Sequence, residues 1–428
     1  MSENIAVIGM GRSGQSACTL ALHKGAAVLA VDSRVEAPVI AGTRTCYGKD
    51  PSKELTTCDR IILSPGVPLE HPMLTHAKKS NTPIISELGY AASFLNIPIL
   101  AITGTNGKSS TTWYTKQFLE QAGRTPFVGG NFGVPLCDLV LHPEQADVAV
   151  VEVSSYQLEA PGTFHPKAAV ILNLTPDHLA RHKTMENYAA HKKRIFAQQT
   201  REDYAITPRE DPRIHPQGQV QTLWLGGTPG AIEKENTIQL LGSPCDGSLS
   251  LEGNMLFGDH NKQNIMAALL LCSTLGISAS KLNIKSLLPL EHRLQHVPSS
   301  DGYLWINDSK ATNVEATLAG IAGAPAPQIL LLGGQGKNNA DYTQLLPLIR
   351  KKVRHVICFG ASRSEIQSHI PHALCCTTLE EAVVSSRNLA QAGDTILLSP
   401  ACASFDAFAN FAERGTYFQK IVQHGVVS

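Results

Sequence analysis

The sequence predicts an α/β chain of three domains in series, and three observations carry that reading. Short, continuous apolar runs alternate with helix-like stretches in three successive cycles, the pattern of parallel strands covered on both faces. Two of those cycles open on a strand that ends in a glycine turn, Gly9-Met-Gly11-Arg-Ser-Gly14 and Gly104-Thr-Asn-Gly107. At 428 residues, 43% apolar and 17% charged, the chain exceeds what one core absorbs and has the apolar content for several.

The first cycle, assigned to residues 1–93, runs from Ile5-Ala-Val-Ile-Gly9 through a helical segment to Ala26-Ala-Val-Leu-Ala-Val-Asp32. Strand, glycine turn, helix, strand and acid form the dinucleotide-binding, Rossmann-like fingerprint. Asp32 follows Gly14 by 18 residues, where it meets a ribose hydroxyl. The turn asks only for a pyrophosphate and a ribose, so a UDP-sugar satisfies it as well as a nicotinamide cofactor does. Further strands are expected at 60–66 and 83–87, each ending in turn residues where ligands of an open parallel sheet collect.

The second cycle, 94–291, opens on the apolar run 97–102 and continues Thr103-Gly-Thr-Asn-Gly-Lys108-Ser109-Ser110 into a helix expected to Ala122. Gly104 and Gly107 let backbone N–H groups curl around one anion, the helix adds its positive end, Lys108 a point charge and Ser109 a magnesium ligand. A nucleoside triphosphate held by a P-loop ATPase-like domain is the expectation. The spacing departs from the full P-loop pattern, with Ile102 where its first glycine would stand. Strands follow at 125–130, 146–152 and 168–174, then a Pro-, Gly- and polar-rich stretch over 201–258, read as a small antiparallel excursion, and a helix over 260–276. The third cycle, 292–428, places strands at 303–307, 329–334, 353–360 and 395–399 in a second Rossmann-like α/β domain.

Lys plus Arg equals Asp plus Glu at 36 each, which argues against a sequence-blind grip on nucleic acid and against a polybasic membrane anchor. The start carries no basic segment before an apolar one, so a soluble, cytoplasmic chain is expected, acting as a monomer on small molecules. Ten cysteines without a Cys-x-x-Cys read as small hydrophobes of a reducing compartment. Cys402 lacks a nearby His in sequence and is not assigned as a nucleophile.

Chemistry-bearing residues gather at predicted strand ends. Glu152 closes an apolar strand, where a magnesium ligand belongs, although the same acid could cap the next helix. Asn173-Leu-Thr-Pro-Asp177-His178-Leu-Ala-Arg181-His182 ends the next strand. Asn307-Asp308-Ser309-Lys310-Ala-Thr312-Asn313 could bind a ligand or merely cap a helix. Gly333-Gly-Gln-Gly-Lys337 offers a flexible loop with a cation.

The order of these motifs, with Gly-Gly-Asn131-Phe-Gly, Glu152-Val-Ser-Ser-Tyr-Gln-Leu-Glu, Gly-Asp-His-Asn-Lys-Gln-Asn264, Glu-His-Arg293 and Leu398-Ser-Pro-Ala-Cys-Ala-Ser404-Phe-Asp, resembles the Mur ligase family over nearly the whole chain. Within it the likeness is to the members that add D-glutamate. That resemblance implies ATP-driven amide formation between UDP-N-acetylmuramoyl-L-alanine and D-glutamate through an acyl phosphate, a cytoplasmic step of peptidoglycan precursor synthesis. It implies that Gly104, Thr105, Asn106, Gly107, Lys108, Ser109 and Ser110 hold ATP with Asn264, Arg293 and the ribose acceptor Asp308. Ser109, Glu152, His178 and Lys192, the last as a carbamate, would hold two Mg2+ ions, with Lys108, Glu152, His178 and Lys192 catalytic. Arg12, Ser13, Asp32, Arg34, Ser64 and Asn131 would serve the UDP substrate, and Thr312, Lys337, Ser404 and Phe411 D-glutamate. The chain departs from its relatives at Thr207-Pro-Arg-Glu-Asp211, in the Asn-Asn after Lys337 and at Asp259, where Glu is commoner. The resemblance also implies that the third domain closes during turnover, with a hinge near 290–293. Other readings are a Mur ligase of different amino-acid preference, a folylpolyglutamate synthase, an NAD-dependent dehydrogenase and a catalytically inert nucleotide-binding regulator.

Overall fold

Five parallel strands, β1 (Asn4–Ile8), β2 (Ala27–Asp32), β3 (Arg44–Tyr47), β4 (Arg60–Leu63) and β5 (Ile84–Ser86), line up in the order β3-β2-β1-β4-β5. The structure, a computed structural model, describes residues 2–253, 256, 258–336 and 340–424. In this first sheet the strand order reverses between β1 and β4, so the carboxyl ends of β1, β2 and β4 face the crevice where such sheets bind ligands. Gly14, in the helix Arg12–His23, touches the chain it packs on: a Cβ there would stand 1.9 Å from the Gly9 carbonyl oxygen. The glycine is therefore required for the helix to start so close to β1.

The second sheet has nine strands, β6 (Ile99–Thr103), β7 (Pro126–Gly130), β8 (Val148–Glu152), β9 (Ala168–Ile171), β10 (Tyr204–Pro208), β11 (Gln221–Leu225), β12 (Gly230–Lys234), β13 (Thr237–Leu241) and β14 (Gly247–Ser250). Their order is β14-β13-β12-β11-β10-β9-β6-β8-β7. β6, β8 and β9 are buried along their whole length, which is why they read as unbroken apolar runs. The predicted antiparallel excursion is narrower than 201–258: β10, β11 and β12 still pair in parallel, and only β12, β13 and β14 form an antiparallel meander. The Pro and Gly residues of that stretch lie largely in connections, while Ala205, Ile206, Leu223 and Leu225 are buried and extend the parallel sheet.

The first two sheets belong to one compact unit, residues 1–252 with 263–284. They share one apolar core in which Ile5, Ala17 and Leu20 pack with Leu136, Val151 and Phe164. Glu87 is buried in that unit, accepting a bond from the Cys137 N–H at 2.7 Å. Burial pushes its pKa up to about 7. Between the ordinary carboxylate pKa and about 7 the folded chain binds the proton and the unfolded chain does not, so stability falls as pH rises through that window. Glu87→Gln should flatten the slope and make the protein on the order of 3 kcal/mol more stable than the parent at pH 8, with little difference at pH 4. Urea unfolding at the two pH values checks this, and parallel curves for both proteins would refute it.

The second unit, 253–262 with 285–428, holds a six-stranded sheet. Its strands β15 (Gln295–Val297), β16 (Leu304–Asn307), β17 (Gln328–Gly333), β18 (Val353–Phe359), β19 (Leu374–Cys375) and β20 (Thr395–Ala401) run in the order β15-β16-β20-β17-β18-β19. All pairs are parallel except β15 with β16. One face carries Ile306, Leu330, Leu332 and Leu397, the other Trp305, Leu331, Ile396 and Leu398, with Phe418 of the helix Phe411–His424 packed among the latter. This alternation along each strand gives two cores, one per face. Among the described residues no helix is long and apolar enough to cross a membrane.

Candidate active site

The phosphate loop follows β6, which lies between β9 and β8, and these neighbours deliver their ends beside it. β8 pairs Glu152 with Ile102, and β9 pairs Ile171 with Thr103. Gly104 and Gly107 have φ of +151° and +86°, a path that glycine alone follows without strain, and the helix Lys108–Gln121 starts directly after it. Asn173 clamps the loop from the next strand end: its side-chain carbonyl accepts from the Asn106 N–H at 2.9 Å and its amide donates to the Asn106 carbonyl at 3.1 Å. Asn264 packs on the loop from the helix Asp259–Ser273, accepting from Thr111 Oγ1 at 3.2 Å. A Cβ at Gly107 would stand 2.3 Å from Asn264 Oδ1.

Two lysines meet on one carbonyl. Lys108 Nζ donates to the Gly104 carbonyl at 2.9 Å and to that of Thr105 at 2.8 Å. Lys192 Nζ, on the helix Met185–Lys193, donates to the same Gly104 oxygen at 2.9 Å. Lys192 is 1% exposed and lies over the Tyr188 ring at 4.6 Å. Burial first, and the Lys108 ammonium second, push its pKa down to about 7. Tyr188 in turn bonds Thr105 through its hydroxyl at 3.2 Å.

Glu152 is 2% exposed, and Asn131 binds Oε1 at 2.6 Å, while Oε2 is buried with no hydrogen-bond partner among the described residues. A bare carboxylate oxygen beside a phosphate loop fits a hard cation. Among the described residues no cluster of three or more His, Cys, Asp or Glu gathers for a metal. One such carboxylate oxygen suits Mg2+, which is commonly held by one or two carboxylates, water and substrate phosphates.

His178 has left-handed backbone (φ +53°), and its Nε2 lies 3.4 Å from the Asp177 carboxylate. The turn that carries it is fixed by Arg181, which forks onto Glu159 at 2.7 and 2.8 Å. Tyr156, His182 and Tyr188 form an aromatic stack beneath, with His182 bonded to Ser155 Oγ at 2.9 Å. Burial pushes the His182 pKa down to about 4, so the ring is neutral and structural.

At the edge of the first sheet, Asp32 accepts from the Met10 N–H at 2.8 Å and from Arg34 Nε and Nη2, both at 2.9 Å. The Arg34 hydrogen bonds hold its carboxyl well below the usual range. Asp32 thus anchors Arg34 and the glycine turn together. Ser64 Oγ donates to the Gly9 carbonyl at 2.7 Å, and Arg12 and Ser13 begin the adjoining helix. A cavity of about 670 Å3 opens beside this edge, bounded by Asp32, Ser33, Lys49, Asp50, His71 and His76 among others. Of the five predicted residues here, only Asp32 lines it.

In the second unit, Asp308 accepts from Ser399 Oγ at 2.8 Å and the Leu294 N–H at 3.3 Å, and burial pushes its pKa up to about 7. Ser404 is 1% exposed, and its hydroxyl has no hydrogen-bond partner among the described residues. The Phe411 carbonyl accepts from Ser309 Oγ at 2.8 Å, and the Thr312 N–H donates to Lys310. Lys337 lies outside the described residues, as does the side chain of Asp259.

Sequence reasoning missed Arg414, whose guanidinium is fully buried. It donates to Ser309 Oγ and O and to the carbonyls of Gly333, Cys402 and Ala403, at 2.9 to 3.3 Å. These acceptors follow β16 or lie at the ends of β17 and β20, so one side chain ties three loops together. Nothing in its local pattern, Asn-Phe-Ala-Glu-Arg-Gly, separates it from a solvent-facing arginine. Asn173 and Tyr188 were also unassigned, although the motif containing Asn173 was singled out.

Compared with known proteins, the Mur ligase middle domain model matches residues 102–272, the Mur ligase MurD-like N-terminal domain model 3–86, and the Mur ligase glutamate ligase domain model 292–402. A UDP-N-acetylmuramoylalanine--D-glutamate ligase of Alkaliphilus metalliredigens is 36% identical, with 98% of each chain covered. The enzyme of the same name from Anaeromyxobacter dehalogenans is 37% identical over 97% of this chain and 96% of that one. Among solved structures, the MurF ligase of Thermotoga maritima in complex with ADP superposes with a TM-score of 0.60 at 18% identity, covering 99% of this chain and 95% of that one. MurC of Thermotoga maritima gives 0.56 at 16% identity, covering 97% and 98%. These structural likenesses concern the three-domain α/β fold alone. With family models across most of its length and full-length relatives above one-third identity, this chain belongs to the Mur ligase family.

Proposed function

We propose that this chain is the ATP-dependent, ADP-forming ligase that joins D-glutamate to UDP-N-acetylmuramoyl-L-alanine in peptidoglycan precursor synthesis, as the names of its full-length relatives read. The observation that carries the chemistry is the loop with Lys108 and Lys192 on the Gly104 carbonyl, beside a strand that ends in Glu152, one of whose oxygens has no hydrogen-bond partner among the described residues.

A carboxylate is a poor electrophile, so its oxygen first takes the γ-phosphoryl group of ATP, and the amine of D-glutamate then displaces phosphate from the acyl phosphate. Negative charge builds in both steps, and the protein's task is to position and neutralise it. The loop N–H groups of 104–110 hold the phosphates, and Lys108 swings from its own loop carbonyls to meet them. Asn131 orients Glu152, whose other oxygen, with Ser109, is placed for Mg2+. When bound, the ion screens the phosphate charges. His178 serves a second ion. Lys192, as its carbamate, would present an anionic oxygen where an ammonium would be repelled; its burial beside Lys108 favours the neutral amine from which a carbamate forms.

In this reading 1–93 binds the UDP moiety through Arg12, Ser13, Arg34 anchored by Asp32, and Ser64. Residues 94–291 bind ATP, with Asn131 toward the reacting end of the UDP substrate. Residues 292–428 contribute Arg293 and Asp308 to the nucleotide, and Thr312, Lys337, Ser404 and Phe411 to D-glutamate. The enzyme works in the cytoplasm as a monomer, without nucleic-acid or membrane partners.

The deciding experiment is ATP-dependent phosphate release with UDP-N-acetylmuramoyl-L-alanine and either D-glutamate, L-glutamate, L-alanine or meso-diaminopimelate. Release with D-glutamate alone is expected, and release with another amino acid would overturn the substrate. Ser404 supplies a finer test. Its buried hydroxyl, without a hydrogen-bond partner among the described residues, should donate to the amino acid, so Ser404→Ala should raise the KM for D-glutamate about tenfold while leaving the KM for ATP unchanged. An unchanged D-glutamate KM would remove Ser404 from the pocket.

A further inference from the structure

Two thiols meet at the edge of the third sheet, outside every residue assigned above. Cys358 in β18 and Cys375 in β19 are directly paired across the parallel ladder, and their sulfurs stand 3.1 Å apart. Both lie near the Arg363 carbonyl, at 3.4 and 3.8 Å, and Cys358 Sγ is also 3.5 Å from the Leu374 carbonyl. Cys358 is buried and Cys375 exposed. Cys376 belongs to the core on the opposite face, with its sulfur 3.5 Å from Ser385 Oγ, so strand alternation turns it away from Cys358.

We infer that Cys358 and Cys375 form a reactive dithiol that closes to an intramolecular disulfide on meeting a small-molecule disulfide. Adjacent strands lie about 4.8 Å apart, inside the Cα separation that a disulfide spans, so the sulfurs need approach by only about 1 Å. The order of attack follows from exposure. The Cys375 thiolate, having given its proton to water, attacks RSSR, forms Cys375–S–S–R and expels RS−. Burial raises the Cys358 pKa and shields it from direct attack, but its sulfur already touches the mixed disulfide. Cys358 then loses its proton, attacks Cys375 Sγ and expels the second RS−, so two thiols are oxidised and one RSSR is reduced to two RSH.

The bond would close a loop over 359–374 that contains the turn 360–363. In that turn Ser362 Oγ accepts from the Gly336 N–H at 2.7 Å, its N–H donates to Gly334, and the Ala361 N–H donates to Asp406 at 2.9 Å. Oxidation therefore restrains a segment bonded to the ends of β17 and β20.

The test incubates the full chain with oxidised glutathione, alkylates the remaining thiols and maps peptides by mass. The wild type should lose two hydrogens, carry a Cys358–Cys375 crosslink and recover on adding dithiothreitol. Cys358→Ser should instead hold glutathione stably on Cys375, and Cys375→Ser should leave Cys358 free. A Cys375–Cys376 bond, a stable glutathione adduct on Cys375 in the wild type, or an unreacted Cys375 would each overturn the inference.

Discussion

Lys192→Ala should cut the rate of ligation by a factor on the order of 10^3 while the chain still folds, and a short carboxylate such as formate should restore part of it. The reasoning starts from burial. An amine 1% exposed, with no acid hydrogen-bonded to it among the described residues, is poorly placed to remain an ammonium so close to Lys108. A carbamate there would supply an anionic oxygen at the loop, and formate in the space left by alanine would supply the same oxygen from solution. Lys192→Met is the companion, since it keeps the volume and removes the desolvated amine. It should match the parent in stability to within about 1 kcal/mol, yet be inactive and refractory to formate. Full activity in Lys192→Ala, or no rescue at any formate concentration, would sink the carbamate. Weak unfolding resistance in both variants would assign Lys192 to the architecture instead.

Arg414→Met should destabilise the second unit by about 4 kcal/mol, because it leaves the carbonyls of Ser309, Gly333, Cys402 and Ala403 without their shared donor. Burial pushes the Arg414 pKa down only to about 10, so the group is a cation at neutral pH, held by neutral acceptors. Lysine cannot reproduce the planar fork, and Arg414→Lys should recover less than half of the loss. The loops that Arg414 ties include the start of the Ser404 segment, so the Met variant should also raise the D-glutamate KM more than the ATP KM. Urea unfolding followed by Trp305 fluorescence, with steady-state kinetics below the transition, measures both. A stability change under about 1 kcal/mol would show that water replaces the guanidinium at these carbonyls.

Much of the loop after β6 was legible because its pattern is local. A glycine-flanked Lys-Ser after an apolar run is read from consecutive residues, and the structure places Gly104, Gly107 and Lys108 in that turn. Glu152 was visible as an acid closing a fully apolar strand, and the fold leaves one of its oxygens without a hydrogen-bond partner among the described residues. Asp32 was legible as the acid of the fingerprint, but its role required coordinates. Arg34 donates to both of its oxygens, so Asp32 holds the guanidinium in place. The width of the antiparallel excursion was not legible, since Pro and Gly mark connections and do not report how the strands between them pair.

By itself the sequence determined the class of the chain: three α/β cycles, a phosphate loop, the acids and bases at strand ends and the family that shares their order. These follow from period, glycine placement and motif spacing, which are properties of neighbouring residues. Only the tertiary structure decided that Lys192 shares the Gly104 carbonyl with Lys108, that one oxygen of Glu152 lacks a partner among the described residues, and that Arg414 joins three loop ends. It also set Cys358 against Cys375. These features depend on residues distant in the chain, and desolvation and strand pairing act between groups that meet only when the sheets close.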